Sequence, residues 1–422
     1  MSSNAVRDRV NTAVREDVNT TAEEHAAAAQ GRAATAVGER ATAVAQGHAT
    51  GSLTPVPQSY THKTRPEEVL LRDWERTGPD AFTVTAQWPR DHAFYRTRHG
   101  LLDPMLLSET IRQTLPLLSH GAYAVPLGHQ LLWQDLDWHL VDPAPEIPAG
   151  PEAPATAHTT PESGPEAPAT GHTAPESGPE APATGHTAPE SGPEGPVALS
   201  SDPSDPPTGS QARAALYAGS DPAPALVELR ITCPKVTYRR DRAAAIALRV
   251  EVLRDGAPFA VAHSRFTIQD RAVYERLRGR YADIGAVRVL PLSPPASPRP
   301  VGRDGFEDVV LSPTHTPDRW QLRTDTTHPI LFDHPVDHAP GMLLLEAARQ
   351  AAQALAHPEA TVAVGMESVF TRYAELDAPC WILADALAPD SLGRPRVRVT
   401  ARQNDRDIFT STVTLAPVPD PR

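Results

Sequence analysis

Cysteine is nearly missing. Cys233 and Cys380 are the two in 422 residues, too few for the disulfide framework of small secreted domains. No apolar run approaches the ~18 residues that a membrane-spanning helix requires. The first residues lack the apolar stretch of a secretory signal. No basic stripe of the kind that tracks nucleic acid is visible. These absences lead us to expect a soluble, cytoplasmic protein that engages neither membrane nor nucleic acid.

Acidic charge is in excess, at a net −13, but it is unevenly placed. Residues 143–224 hold eight Glu and three Asp against one Arg, a net of −10, and residues 1–58 a net of −1, which leaves −2 for the remainder. The part that folds is therefore expected to be close to neutral. Proline is abundant, with 46 residues. A repeat of the form GPEAPAT-HT-PES starts at Gly150, Gly164 and Gly178 and restarts at Gly192, a period of 14. It offers almost no large apolar side chains, so burial cannot offset the entropy of ordering it. We expect 143–224 to be a disordered Pro-rich insertion and 1–56 a disordered or loosely helical leader.

Between these segments the chain reads as two similar units. Strand-like pieces surround Gly78-Pro79, a helix is expected over 101–118, and a long strand over 129–141. Pro104 suits the first turn of that helix and Pro116 should end or kink it. Strands resume at 225–233 and 244–270, the latter a hairpin about Asp255-Gly256. The insertion thus splits one domain, 57–142 plus 225–290. A short surface helix is expected over 272–284, and 291–317 reads as an inter-domain connection. The second domain, 318–418, repeats the order: a helix over 340–356, then strands near 361–373, 379–387, 394–403 and 407–416. A helix followed by antiparallel strands, twice over, is an α+β pattern.

The two helices also share a motif. Glu109, Arg112 and Gln113 line up with Glu346, Arg349 and Gln350 at a constant offset of 237. Spacings of three and four place each trio on one helix face. His92 matches His328 with one residue of slippage. Glu346 and Glu109 are candidate acid–base groups. Apolar wrapping would raise their pKa and the neighbouring arginines would lower it; spacing alone leaves that balance open. Arg349 and Arg112 are candidate phosphate partners, since guanidinium binds phosphate in a bidentate fork. His334 and His338 bracket Asp337 at the Pro340-Gly341 helix entrance. The bare Cα of Gly341 would admit an acyl group. His328, His92 and His99 are weaker candidates, and Trp88, Trp133 and Trp138 read as packing. Asp333, His334 and His338 do not form a metal set, for want of a partner at the usual spacings.

The stretches THKTRPEEVLLRDW, FTVTAQWPRDHAFY, DPMLLSETIRQ, VGRDGFEDVVLS and DHPVDHAPGMLLLEAARQA resemble the A-factor biosynthesis hotdog family, the tandem hotdog enzymes of γ-butyrolactone signal synthesis in actinomycetes. The resemblance covers about 57–142 and 225–418. It implies a tandem (double) hotdog, each half a long central helix wrapped by an antiparallel sheet, within one pseudo-dimeric monomer. It also implies a reaction. A β-ketoacyl chain passes from acyl carrier protein to the hydroxyl of dihydroxyacetone phosphate, and the ester then cyclises to a butenolide phosphate. No cofactor and no metal are expected.

On that reading Glu346, Glu109 and His334 are the expected catalytic groups. Arg349, Arg112, Gln350, Gln113, His338 and Gly341 are expected to bind substrate. The 334–351 half, which keeps the loop histidines and the Pro-Gly, is expected to carry the chemistry. Arg90, Arg96 and Arg98 are candidates for a carrier-protein surface. A hotdog dehydratase or thioesterase is the alternative, with His334 paired to Glu109 or His99 to Glu346 across the halves. A non-catalytic acyl- or butyrolactone-binding module is another.

Overall fold

The computed structural model describes residues 56–89, 91–96, 98, 101–141 and 224–418. The leader up to residue 55, the 14-residue repeat, Arg90 and His99 lie outside them. Both halves belong to one compact unit.

The first half opens with a hairpin, β1 (Leu71–Gly78) and β2 (Ala81–Trp88). Phe82, Val84, Ala86 and Trp88 are buried and alternate with more exposed residues, the period of a strand with one face on a core. Helix α1 (Met105–Leu117) follows, then β3 (Gln130–Leu140), β4 (Ala225–Arg239), β5 (Arg242–Arg254) and β6 (Ala257–Gln269). Asp255 and Gly256, at φ +50° and +82°, close the β5–β6 hairpin in the left-handed turn that matches strand twist. Helix α2 (Arg271–Arg278) is capped by Asp270, which accepts from the Val273 amide at 2.9 Å.

The second half repeats this order with β7 (Leu311–Pro313), β8 (Arg319–Leu322), α3 (Gly341–Ala356), β9 (Thr361–Phe370), β10 (Cys380–Leu387), β11 (Arg396–Gln403) and β12 (Arg406–Pro417). It starts earlier than the sequence suggests, because β7 lies inside the stretch read as a connection. Three residues ending in proline give no strand pattern to detect.

All twelve strands join one antiparallel sheet in the order β1-β2-β4-β5-β6-β3-β9-β12-β11-β10-β8-β7. The order is palindromic: each half runs outward from its own third or ninth strand through matching partners. The halves meet where β3 pairs with β9, from Asp135–Val369 to His139–Gly365. That junction removes two open sheet edges, which would otherwise be free to pair with other chains. The helices lie against the inner face and touch each other.

The helices are held there by burial and by indole hydrogen bonds. From Met342 to Ala352 every residue of α3 is buried, as expected of a helix that is apolar on nearly all sides. Trp88 and Trp138 donate to Thr110 Oγ1 (2.8 Å) and Ser108 Oγ (3.0 Å) on α1. Pro116 does not end α1. The helix runs to Leu117 and then widens into a π-type turn, closed by Tyr123 N to Leu118 O at 3.0 Å. A proline without an N–H disturbs the ladder just there. No helix among the described residues is long and apolar enough to cross a membrane.

Candidate functional site

A second internal repeat organises the site. Residues 61–71 match 301–311 at an offset of 240, which aligns Lys63 with Arg303, Glu68 with Asp308 and Leu70 with Val310. Each copy runs alongside the central helix of its own half. The helix glutamine clips it in place. Gln113 accepts from the Leu70 amide (2.9 Å) and donates to Glu68 O (2.8 Å). Gln350 accepts from the Val310 amide (3.0 Å) and donates to Asp308 O (2.8 Å). The second amide proton of each goes to the helix glutamate, at 2.8 Å on Glu109 and 2.6 Å on Glu346. Neither side chain has a proton left for a ligand.

The clip delivers a cation to each glutamate. In the first half, Lys63 Nζ lies 3.2 Å from Glu109 Oε1. Arg112 holds both carboxylate oxygens at 2.9 Å. In the second half, Arg303 donates to Glu346 Oε1 at 2.9 Å, and Arg349 donates to Oε2 and Oε1 at 2.8 and 2.6 Å. Burial alone would raise both carboxyls. The Arg112 and Lys63 charges outweigh it at Glu109, and the Arg303 and Arg349 charges outweigh it at Glu346, so each falls from 4.5 to about 2. This answers the question the spacing leaves open. Both glutamates are ionised, and a group titrating near 2 is a poor proton acceptor at neutral pH. Their evident work is to hold cations.

The clusters differ in access. Arg349 and Glu346 are 5% and 0% exposed, and Gln353 caps Arg349 through its side-chain oxygen. That side chain also fills the space above Gly302. Arg112 is 21% exposed. The residue that matches Gln353 in the first half is Pro116, and the one that matches Gly302 is His62.

Segments from the opposite half complete each cluster. Thr64 donates its amide to Asp333 Oδ2 (2.7 Å) and its hydroxyl to Asp333 O (2.8 Å), and Arg65 donates to Pro329 O (2.8 Å). This brings His334, whose Nδ1 is 3.5 Å from Asp333 and whose side chain is 44% exposed, to the side of the first-half cluster. Reciprocally, Arg303 donates to Phe94 O (2.8 Å) and Asp103 (3.2 Å) and lies 4.0 Å above the Phe94 ring. Arg98 pairs with Asp304 at 3.3 Å.

The remaining candidates have local partners. His92 accepts the Phe94 and Tyr95 amides on Nδ1 (3.1 Å each), which places its proton on Nε2, 3.2 Å from Glu68. His328 does the same with the Ile330 and Leu331 amides and lies 3.6 Å from Asp308. His338 contacts Asp337 at 2.7 Å. Asp337 is fixed in turn by Tyr274 and Arg278, the two buried residues of α2, so this surface helix also braces the loop. At Gly341 an added Cβ would lie 2.8 Å from the Trp133 ring. The indole of β3 therefore fills the space the sequence reading offered to an acyl group. Arg96 is exposed and bonds Ala93 O (2.7 Å).

Sequence reasoning missed Lys63, Arg303, Arg65 and His62. The offset of 240 between two stretches already singled out was the signal that could have found the first two.

Two sheet-wrapped helices, each with a Glu–Arg–Gln clamp fed by a matched cation, define a tandem hotdog protein. The chain belongs to the A-factor biosynthesis hotdog domain family, whose model matches residues 44–148 and 286–419. Among curated relatives, it is 36% identical over 358 residues to the 2-oxo-3-(phosphooxy)propyl 3-oxoalkanoate synthase of Streptomyces virginiae, covering 85% of this chain and 96% of the relative. It is 32% identical over 362 residues to the Streptomyces coelicolor protein of the same name, covering 85% and 91%. The Streptomyces griseus synthase gives 34% over 366 residues, 86% and 96%. Among solved structures, a putative oleoyl thioesterase from Lactobacillus plantarum aligns at a TM-score of 0.41 with 8% identity, over 82% of this chain and 99% of that one.

Proposed function

We propose that this protein makes 2-oxo-3-(phosphooxy)propyl 3-oxoalkanoates. It transfers a β-ketoacyl chain from a thioester to the free hydroxyl of dihydroxyacetone phosphate. The carrying observation is the first-half cluster. Glu109 there fixes two cations, one of them reaching solvent, opposite His334 from the other half. Arg112, whose Nε and Nη2 are taken by Glu109 and Thr61 O, keeps Nη1 for phosphate, and Lys63 adds a point charge behind it. A hydrolase or dehydratase has no need of such a phosphate seat.

The groups divide the work. Glu109 and Gln113 align Arg112 and Lys63 in advance, so binding phosphate costs little reorganisation. His334, held by Asp333, stands at the rim as a hydrogen-bond donor to substrate. The Glu346 cluster, buried and capped by Gln353, is the scaffold of the other half. The acyl donor is an acyl carrier protein, and one chain supplies both halves, so the working form is a monomer.

Purified protein mixed with a 3-oxoacyl thioester and dihydroxyacetone phosphate should yield the phosphorylated ester or its cyclised butenolide by mass spectrometry. Free acid or a hydrated or dehydrated acyl chain, with no phosphate incorporated, would replace this reading with a thioesterase or dehydratase.

A further inference from the structure

His62 stands at a backbone position that should be glycine. Its φ is +53°, and the matched residue in the second half is Gly302 at φ +68°. The left-handed conformation is unfavourable for a residue with a Cβ, and such strain persists where the side chain has a use. In the second half the same space holds the Gln353 plug. In the first half it holds an imidazole next to Lys63.

The hydrogen bonds fix the protons. His120 Nδ1 is 2.8 Å from Val125 O, a pure acceptor, so His120 carries its proton there. His120 Nε2 is then an acceptor, and His62 Nε2, 2.9 Å away, must be the donor. That leaves His62 Nδ1 with a free lone pair. The imidazole is neutral and oriented, with a second histidine behind it that accepts its Nε2 proton.

We infer that His62, positioned by His120, is the proton carrier of the acyl transfer, an inference that rests on the reaction proposed above. His62 Nδ1 takes the proton of the dihydroxyacetone phosphate hydroxyl as its oxygen attacks the thioester carbon. The C–O ester bond forms, the C–S bond breaks, and the imidazolium returns the proton to the departing thiolate. The charged and titratable groups that face His62 are Arg112 on α1, His120 in the turn after it, and His334 from the second half. In the free protein, burial first and then these three hold His62 down to about 3. A phosphate dianion seated on Arg112 offsets the Arg112 part of that field and so raises the proton affinity of the imidazole when substrate is bound.

The test is His62→Gly, which supplies the residue the backbone prefers. The melting temperature should hold within a few degrees, KM for dihydroxyacetone phosphate should stay within about threefold, and kcat should fall about a hundredfold to ten-thousandfold. Added imidazole should restore part of it. His62→Gln should lose kcat to the same degree, without rescue. Wild-type kcat in either variant overturns the inference. So does a loss in His62→Gly that tracks lost folded protein or raised KM and that imidazole leaves untouched. A wild-type protein that forms no ester at all sinks the reaction itself, and His62 with it.

Discussion

The two halves carry the same scaffold and differ in what it encloses. Both have the strand order that runs outward from the β3–β9 seam, both clip an edge segment with a helix glutamine, and both neutralise a buried glutamate with two cations. In the second half every nearby position favours closure: arginine at 303, glycine at 302, glutamine at 353. In the first, lysine, histidine and proline occupy those places and leave Arg112 partly in solvent. A duplicated fold can thus keep a buried ion cluster for alignment in one copy and open it to a ligand in the other. The difference lies in three side chains around the cluster and not in the glutamate itself.

The comparison can be broken first at the glutamates. Glu346→Ala leaves Arg303 and Arg349 buried without their carboxylate, a defect that costs about 3–5 kcal/mol. Glu109→Ala should cost less, because Arg112, unlike the buried Lys63, can turn to water, while esterification is lost. Urea unfolding of both variants reads this order. Equal losses would mean that the first cluster is as sealed as the second.

Closure by packing comes next. Gly341→Ala forces a methyl to within 2.8 Å of Trp133 and should lower stability by about 1–3 kcal/mol. Gln353→Ala removes the cap on Arg349 and should cost about 1 kcal/mol. Both are read in the same unfolding assay, and acyl transfer by the folded fraction should survive each.

Acid gives a smaller, graded probe. Each helix glutamate titrates near 2 in the folded chain, against an ordinary 4.5. Folded values below unfolded ones mean that their contribution is complete above pH 4.5 and drains away as pH falls toward 2. The urea midpoint should drop through that window, and Glu346→Gln and Glu109→Gln should each flatten the slope. The smallest effect should come from deleting residues 146–220. Shortening a loop changes closure entropy only logarithmically, so turnover should be nearly unchanged.

Much of the fold was legible because its signals are local. The apolar spacing of 340–356 behind Pro-Gly, the Asp255-Gly256 turn, and the alternation in β2 each specify an element within a few residues. β7 was not, since three residues have no period. The Glu–Arg–Gln faces were legible from helical spacing. Their cations were not. Lys63 and Arg303 lie some forty residues before the helices, and the offset drifts from 240 at these segments to 236 at His92 and His328 and 237 at the helices, which hides one repeat as several. The state of the glutamates depends on distances to those cations. No spacing along one helix encodes it, and the greater exposure of Arg112 than of Arg349 is equally invisible there.

The most direct measurement compares Arg112→Gln with Arg349→Lys in steady-state esterification, corrected for folded protein. A charge-assisted phosphate contact contributes about 1.5–3 kcal/mol, and every 1.4 kcal/mol is tenfold. Arg112→Gln should therefore lose about ten- to a hundredfold in kcat/KM for dihydroxyacetone phosphate, chiefly through KM. Arg349→Lys should stay within about threefold. A loss confined to Arg349→Lys, or an equal loss in both, would contradict the assignment of the phosphate seat to the first half.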